Sequence, residues 1–203
     1  VFPHANIVVD KFHIVQLLTR ELNKLRINEM KKLNTRSKEY KILKRYWKIP
    51  LTRNWELNRI HFYKNRHFKN MTSSIDILDY MLKEFPNLKE AYDFYQNFLL
   101  SISNNDVAML EDILNTRTDK IPMCFRKSIK TLKKLRKYVV NSLKYDYTNA
   151  MVEGKNNKIK VIKRVSYGYR SFRNFKARIM LMERYKIQKG NIHSYKFAMD
   201  AAA

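Results

Sequence analysis

Residues that interrupt helices are rare in this sequence, which has three glycines and four prolines among its 203 residues. A many-stranded sheet needs turns every few residues, so this scarcity favours long helices. Hydrophobic residues make up 45% of the chain and aromatic residues 13%, which is enough to build a buried core. We therefore predict a mainly α fold, and the length suits one domain of ordinary size or two small ones.

Apolar residues recur at spacings of three and four along most of the chain, which is typical of amphipathic helices. The first predicted helix follows Asp10 and ends near Leu33. Only helical patterns occur over residues 35–146, including a basic helix over 126–143. A small polar residue is the predicted N-terminal cap of three of these helices: Thr52, Ser74 and Asp106. Trp55, in the first of the three, is predicted to face the core.

The first ten residues follow a different pattern. The β-branched apolar run Ile7-Val8-Val9 ends at Asp10 and predicts a short buried strand. A carboxylate at the C-terminal end of a strand, just before a helix, is where α/β folds tend to place chemistry. Asp10 is therefore a candidate site residue.

The chain carries a large excess of positive charge: 42 Lys and Arg against 18 Asp and Glu give a formal net charge of +24. Such an excess favours a polyanionic partner, and nucleic acid comes first because each neutralised phosphate releases counterions. A membrane partner is not predicted, since no apolar run approaches the ~20 residues of a spanning helix. The single cysteine, Cys124, excludes an intramolecular disulfide and a multi-cysteine zinc site within this chain. No secretory signal pattern begins at Val1, so we predict a cytoplasmic protein.

The segment NAMVEGKNNKIKVIKR, residues 149–164, places a single glutamate among five cations. If residues 150–166 are helical, one face carries four polar side chains within a sector of roughly 60°: Glu153, Asn157, Lys160 and Arg164. Ile159 and Ile162 lie near the opposite side and can face a core.

Two interpretations of Glu153 remain open on these residues. It can stabilise the first turn through the helix dipole and pair with Asn157 or Lys160. It can also bind a hard divalent cation such as Mg²⁺, which prefers carboxylate oxygens and bridges to phosphate. One carboxylate is too few for a metal, and Asp10 is the second candidate ligand.

The stretch NAMVEGKNNKIKVIKRVSYGYRSFRNFKARIML resembles the C-terminal signature of DDE transposases of the ISL3 insertion-sequence family. The opening NIVVDKFHIVQLL resembles the segment around that family's second catalytic aspartate. The resemblance implies the C-terminal part of an RNase H-like α/β catalytic domain with a large all-helical insertion. It also implies two Mg²⁺ (or Mn²⁺) ions for phosphodiester cleavage and strand transfer. Asp10 and Glu153 would be the second and third members of the acidic triad and would bind these metals.

The same resemblance implies roles for residues near the two carboxylates. Five residues would lie along the DNA path: Asn157, Lys160, Lys163, Arg164 and Arg170. His13 accompanies Asp10 in the family's Asp-x-Phe-His pattern, where it could orient that carboxylate or contact substrate. It could equally be a structural histidine. Four aromatic residues after the helix of Glu153 are expected to pack the closing helix, with stacking on bases as the alternative: Tyr167, Tyr169, Phe172 and Phe175.

The resemblance predicts four parts in the chain. Residues 1–34 form the strand and helix of the RNase H-like core that carry the second aspartate. Residues 35–146 form the helical insertion, 147–190 the core helices that carry the glutamate, and 191–203 a tail. The family's first catalytic aspartate and the first strands of its sheet have no counterpart here. The chain is therefore expected to be a fragment that is inactive alone.

The expected function is binding of transposon-end DNA and, in the intact protein, metal-dependent strand cleavage and transfer. The expected location is the bacterial cytoplasm, in association with the nucleoid. A homodimer is expected in the working complex, because two transposon ends must be paired. The alternative is a catalytically inert helical DNA-binding protein of transposase ancestry, and a third hypothesis is a helical scaffold for a partner protein.

Overall fold

Helices make up most of the chain, as the scarcity of glycine and proline predicts. The structure is a computed structural model that describes residues 6–145, 147 and 149–184. It divides the chain into two compact units, Val1–Tyr147 and Thr148–Ala203. The described α-helices are α1 (Lys11–Lys31), α2 (Lys38–Arg45), α3 (Ser74–Glu84), α4 (Pro86–Ser103), α5 (Val107–Asn115), α6 (Arg126–Lys134), α7 (Arg136–Lys144), α8 (Ala150–Val165) and α9 (Phe172–Arg184). The prediction of a mainly α fold is confirmed.

Short elements connect these helices. The described residues include four 3₁₀ turns: Ile49–Leu51, Asn54–Glu56, Thr118–Lys120 and Met123–Phe125. Every described helix is too short or too polar to cross a lipid bilayer. Because α1 packs against α4 and α2 within the first unit, the structure does not separate residues 1–34 from 35–146. The assignment of these ranges to a core and an insertion stays a prediction.

Small polar side chains fix where two of the helices begin. The Asp106 carboxylate accepts a hydrogen bond from the Met109 N–H at 2.9 Å, so the predicted cap of α5 is confirmed. The cap of α3 is Ser73, one residue before the predicted Ser74. The Ser73 hydroxyl accepts from the Asp76 N–H at 3.4 Å, and the Asp76 carboxylate accepts from the Ser73 N–H at 2.8 Å. This reciprocal pair is a capping box.

The prediction that Thr52 caps a helix is wrong, because α4 provides partners for the backbone at this point. The Gln96 side chain accepts a hydrogen bond from the Asn54 N–H at 2.9 Å and donates one to the Thr52 carbonyl at 3.0 Å. The chain forms two short 3₁₀ turns here in place of a helix. Trp55 is 47% exposed, so it does not face the core as predicted.

The centre of the first unit is the contact between α1 and α4. Three apolar residues of α1 are buried at the predicted helical spacing: Ile14, Leu18 and Leu22. Tyr95 and Phe98 of α4 belong to the same buried cluster. The Tyr95 hydroxyl shares a hydrogen bond with Thr19 at 2.8 Å, so the polar end of the ring is paired. Burying one side chain of this size stabilises a fold by roughly 1.5–3 kcal/mol.

A buried arginine joins α1 to α2. Arg26 is 6% exposed, and its guanidinium donates to the Leu43 carbonyl at 2.7 Å and to the Asn23 side chain at 2.9 Å. Desolvation by burial lowers the pKa of Arg26. The hydrogen bonds offset part of the free energy that burying the charge costs. The arginine thereby fixes the position of α2 against α1.

The basic helix predicted over 126–143 is interrupted at Leu135, where the backbone turns to φ −99° and ψ 14°. Arg136, the first residue of α7, forms an ion pair with Glu111 at 3.1 Å and donates a hydrogen bond to Asn115 at 3.1 Å. Both partners belong to α5, so the break brings the start of α7 onto that helix. Leu135 is 38% exposed and does not join the apolar face as predicted.

The run Ile7-Val8-Val9 is not a strand, contrary to prediction, because side chains and a carbonyl of α7 bind its backbone. The Val9 N–H donates to the Tyr138 carbonyl at 3.5 Å, and the Asn141 side chain donates to the Ile7 carbonyl at 3.0 Å. The Ser142 hydroxyl donates to the Val9 carbonyl. Among the described residues no strand pairs with this run. The sheet of an RNase H-like core therefore stays a prediction.

The second unit contains α8 and α9, joined by residues 166–171. α8 matches the helix predicted over 150–166 to within one residue. Ile162 is 7% exposed and Ile159 is half-buried, as predicted for the face opposite Glu153. Ile162 is thus the buried residue of α8, and the polar side of the helix is open to solvent.

The aromatic residues after α8 behave in two ways. The rings of Tyr169 and Phe175 lie 4.9 Å apart, and the Tyr169 hydroxyl shares a hydrogen bond with Ser166 at 2.7 Å. Tyr167 and Phe172 are exposed, Tyr167 completely. The prediction that all four pack the closing helix is therefore right for Tyr169 and Phe175 and wrong for Tyr167 and Phe172.

Candidate acidic site and nucleic-acid interface

Asp10 is the N-terminal cap of α1. Its carboxylate accepts a hydrogen bond from the Phe12 N–H at 2.7 Å, which fixes the orientation of the side chain. The residue before it, Val9, is attached to α7 through its backbone. Asp10 is half-buried, so the carboxylate has a defined position and remains accessible from solvent.

His13 lies in the first turn of α1, three residues after Asp10. Its N–H donates to the Asp10 carbonyl at 3.0 Å, and its ring meets the edge of the Phe12 ring at 5.4 Å between centroids. The His13 side chain is exposed. Exposure leaves it available to a substrate, and its predicted role toward Asp10 stays a prediction.

Glu153 lies in the first turn of α8, where the helix dipole favours a negative charge. Its N–H donates to the Asn149 carbonyl at 2.9 Å, and its side chain is exposed. Within the described part of the chain, it forms neither an ion pair with Lys160 nor a hydrogen bond with Asn157. Local pairing therefore does not account for a carboxylate at this position.

The predicted polar face of α8 is present and open to solvent. Its side chains follow Glu153 at spacings of four, three and four residues, and all are exposed: Asn157, Lys160 and Arg164. Lys163, beside this face, and Arg170, in the segment after α8, are exposed as well. α8 contains five cationic side chains and one carboxylate. Such a surface attracts phosphate while keeping the carboxylate within a basic environment.

The two predicted metal ligands lie in different units, Asp10 in the first and Glu153 in the second. Where the structure describes side chains, no group of three or more His, Cys, Asp or Glu converges. Carboxylate oxygens are the ligands that Mg²⁺ prefers, so the chemistry of both residues fits a divalent cation. Within the residues that the structure describes, neither unit contains a complete set of ligands by itself, and the metal site stays a prediction.

The first unit carries a basic cleft that the sequence analysis did not identify. Lys41 of α2 and two residues that precede α3, Arg66 and His67, line an open, polar cleft of about 370 Å³. The sequence offers one signal, the basic and aromatic stretch NRHFK at residues 65–69. Stretches of this kind are common in a chain with a net charge of +24, so the signal is weak without the fold.

Comparisons with known proteins agree with the two motifs. The family model for ISL3-type DDE transposases, described as a transposase, matches residues 1–179. A protein of Lactococcus lactis subsp. lactis named ATP-dependent protease is 32% identical over 184 residues, which is 89% of this chain. The chain spans 58% of the length of that relative. No solved structure matches. Because the family match covers most of the sequence, the chain belongs to the ISL3 family of transposases.

Proposed function

We propose that this chain is the C-terminal part of a DDE transposase catalytic domain and that it binds transposon-end DNA. The observation that carries the proposal is the exposed face of α8, where Glu153 precedes Lys160 and Arg164 on a helix inside the matched region. Membership in a transposase family makes DNA the natural partner of such a basic face. A cation and a guanidinium can hold phosphates, and Arg does so through two parallel hydrogen bonds.

In this proposal Asp10 and Glu153 are ligands of divalent cations in the intact enzyme. Bound Mg²⁺ ions would supply activation of the attacking oxygen and stabilisation of the leaving oxygen. The Phe12 N–H orients the Asp10 carboxylate, and the first turn of α8 favours ionised Glu153. Lys160 and Arg164 position the DNA backbone beside the glutamate, and the exposed His13 lies in the first turn of the helix that Asp10 caps.

Substitution of either carboxylate in the intact transposase tests the catalytic role. Glu153→Gln and Asp10→Asn keep the shape of each side chain and remove its charge. We expect both to lower Mg²⁺-dependent cleavage of transposon-end DNA by about 10³-fold or more, which corresponds to about 4 kcal/mol of lost transition-state stabilisation. DNA binding, measured by fluorescence anisotropy, should be unchanged or stronger, because a negative charge is lost.

The matched control is Glu84→Gln, which removes an exposed carboxylate from α3. It should leave cleavage and binding unchanged. Normal cleavage by Glu153→Gln would contradict the catalytic assignment. If the intact protein binds DNA and cleaves none with Mg²⁺ or Mn²⁺, the inert DNA-binding protein is the correct alternative.

The name of the Lactococcus relative refers to proteolysis, and that activity belongs to the relative. Nothing in the described part of this chain favours it over DNA strand chemistry. Cys124, the single thiol, is half-buried, and burial raises its pKa to about 11. A nucleophilic cysteine needs the opposite shift.

A further inference from the structure

We infer that the basic cleft lined by Lys41, Arg66 and His67 binds phosphodiester groups of the DNA backbone, at a contact separate from α8. The inference deepens the proposed function and rests on it for the identity of the polyanion. The cleft belongs to the first unit and the polar face of α8 to the second. Each contact can therefore be removed without changing the residues of the other.

The loop that carries Arg66 and His67 is fixed in place. An isolated antiparallel bridge closes its base, with hydrogen bonds of 3.1 Å in both directions between Tyr63 and Thr72. Asn65, inside the loop, is 4% exposed. Its amide donates to the Tyr46 hydroxyl at 2.6 Å, and its carbonyl oxygen on the side chain accepts from the His67 N–H at 3.1 Å. The loop is thereby attached to the residue that follows α2, so the cleft is preorganised.

Two cations close to the cleft, Lys38 and Arg45, are held by aromatic rings. The Lys38 ammonium lies 4.8 Å from the centre of the Phe68 ring and 4.5 Å from that of Tyr80. The Arg45 guanidinium lies 5.6 Å from the centre of the Tyr46 ring. A cation–π contact orients a cation and leaves its charge in place.

Carboxylates do not neutralise this surface. The ion pairs found in the described part of the chain use none of its cations: Lys38, Lys41, Arg45 and Arg66. The neighbouring carboxylate on α2 is Glu39, which accepts a hydrogen bond from the Tyr80 hydroxyl at 3.0 Å. Glu84 also acts on Tyr80, so four cations face two carboxylates and the cleft keeps a net positive charge.

The hydrogen bond and the pKa of His67 both reflect its position among these cations. Its Nε2 accepts a hydrogen bond from Arg66 Nε at 3.3 Å, which requires the neutral ring. Desolvation, followed by the charges of Arg66, Arg45, Lys41 and Lys38, lowers the pKa of His67. An anion in the cleft would relieve this repulsion among the cations. The arrangement therefore favours a bound phosphate.

The shape of the cleft selects a backbone phosphate. The cleft is open and its lining is mostly polar, so it offers no apolar walls between which a base or a nucleoside could be enclosed. A phosphodiester that passes along the surface needs only charge and hydrogen-bond donors. Contacts of this kind position the duplex and do not read its sequence.

The test compares DNA binding by the full chain with that of charge-matched variants. Lys41→Ala combined with Arg66→Ala should lower affinity at physiological salt by at least about tenfold. It should also reduce the slope of log affinity against log salt by about 2, because each phosphate contact contributes about 0.9. The loss of affinity should be equal for a duplex of transposon-end sequence and for a scrambled duplex. The control, Lys83→Ala combined with Lys89→Ala, removes two exposed cations of α3 and α4 and should change the slope much less.

Several results would overturn the inference. One is a salt slope equal to that of the control variant. Another is a loss of affinity that is confined to the transposon-end sequence. Binding of the wild-type chain to phosphatidylserine vesicles with no binding to duplex would also exclude it. Should the double variant unfold, as judged by circular dichroism, the single variant Arg66→Gln takes its place and should still weaken binding, because it removes a cation of the cleft. Failure of the proposed function is distinguishable, because it would appear as normal cleavage by Glu153→Gln while the cleft variants remained defective in binding.

Discussion

Tyr167 holds a backbone conformation that residues other than glycine rarely adopt, with φ at 52°. It ends α8 through two hydrogen bonds: its own N–H donates to the Arg164 carbonyl at 3.1 Å, and the Gly168 N–H donates to the Lys163 carbonyl at 3.2 Å. This is the Schellman pattern, in which the left-handed position is usually glycine. Because the Tyr167 side chain is fully exposed, packing does not offset a backbone cost of roughly 1 kcal/mol.

Tyr167→Gly should therefore raise the free energy of unfolding of α8, by up to about 1 kcal/mol. The measurement is the midpoint of thermal unfolding, followed by circular dichroism, which should increase. Tyr169→Gly is the control: it removes the ring that packs on Phe175 and the hydrogen bond to Ser166, so its midpoint should fall. A lower midpoint for Tyr167→Gly would contradict this prediction, because it would mean that the exposed ring stabilises the fold.

At the scale of an element, α3 depends on the capping box formed by Ser73 and Asp76. Ser73→Ala should lower the free energy of unfolding by about 0.5–2 kcal/mol, measured by urea denaturation. The neighbouring Ser74→Ala is the control, and its effect should be smaller. Equal losses from the two variants would show that the box does not determine where α3 begins.

The capping box also predicts a dependence on pH. Hydrogen bonds from the Ser73 backbone and then its side chain lower the pKa of Asp76 below its ordinary value of 3.8. A depressed carboxyl pKa contributes stability above the ordinary pKa, and that stability is lost as the pH falls through the folded-state value. The difference between wild type and Ser73→Ala should therefore be constant near neutral pH and shrink in acid.

The elements that could be predicted are those that a few consecutive residues determine. The polar face of α8 follows from the spacing between Glu153 and Arg164, and the cap at Asp106 follows from one side chain and the next turn. The geometry of the proposed metal site does not follow from local sequence, because its two candidate ligands belong to different units. What the sequence does predict, through its motifs, is the family.

Two of the incorrect predictions share a cause, which is that a segment distant in the chain forms hydrogen bonds with the backbone. Trp55 is exposed because Gln96 of α4 provides the hydrogen bonds that a local helix would have made. The run at residues 7–9 binds α7 in place of a strand. The basic cleft combines Lys41 with Arg66, residues that a local pattern cannot bring together. Contacts of this kind require the tertiary structure.

At the scale of the whole molecule, the net charge of +24 is distributed over both units, so two DNA contacts should act independently. Lys160→Ala combined with Arg164→Ala should lower the salt slope by about 2, and so should the cleft variant Lys41→Ala with Arg66→Ala. Combining all four substitutions should lower it by about 4 if the two pairs of cations, which belong to different units, contact different phosphates. The measurement is the salt dependence of binding to one duplex, with Lys155→Ala on the opposite side of α8 as control. Strongly non-additive slopes would mean that the two surfaces compete for the same phosphates.

The buried Arg26 also fixes a distance along α1. Asp10 caps one end of this helix, and Arg26 attaches α2, the helix that carries Lys41, sixteen residues further along. At 1.5 Å per residue the helix sets about 24 Å between the two points. That length is close to seven base pairs of duplex at 3.4 Å each. α1 therefore fixes, as one continuous element, the distance between Asp10 and the point at which α2 is attached, the helix that carries Lys41 of the proposed cleft.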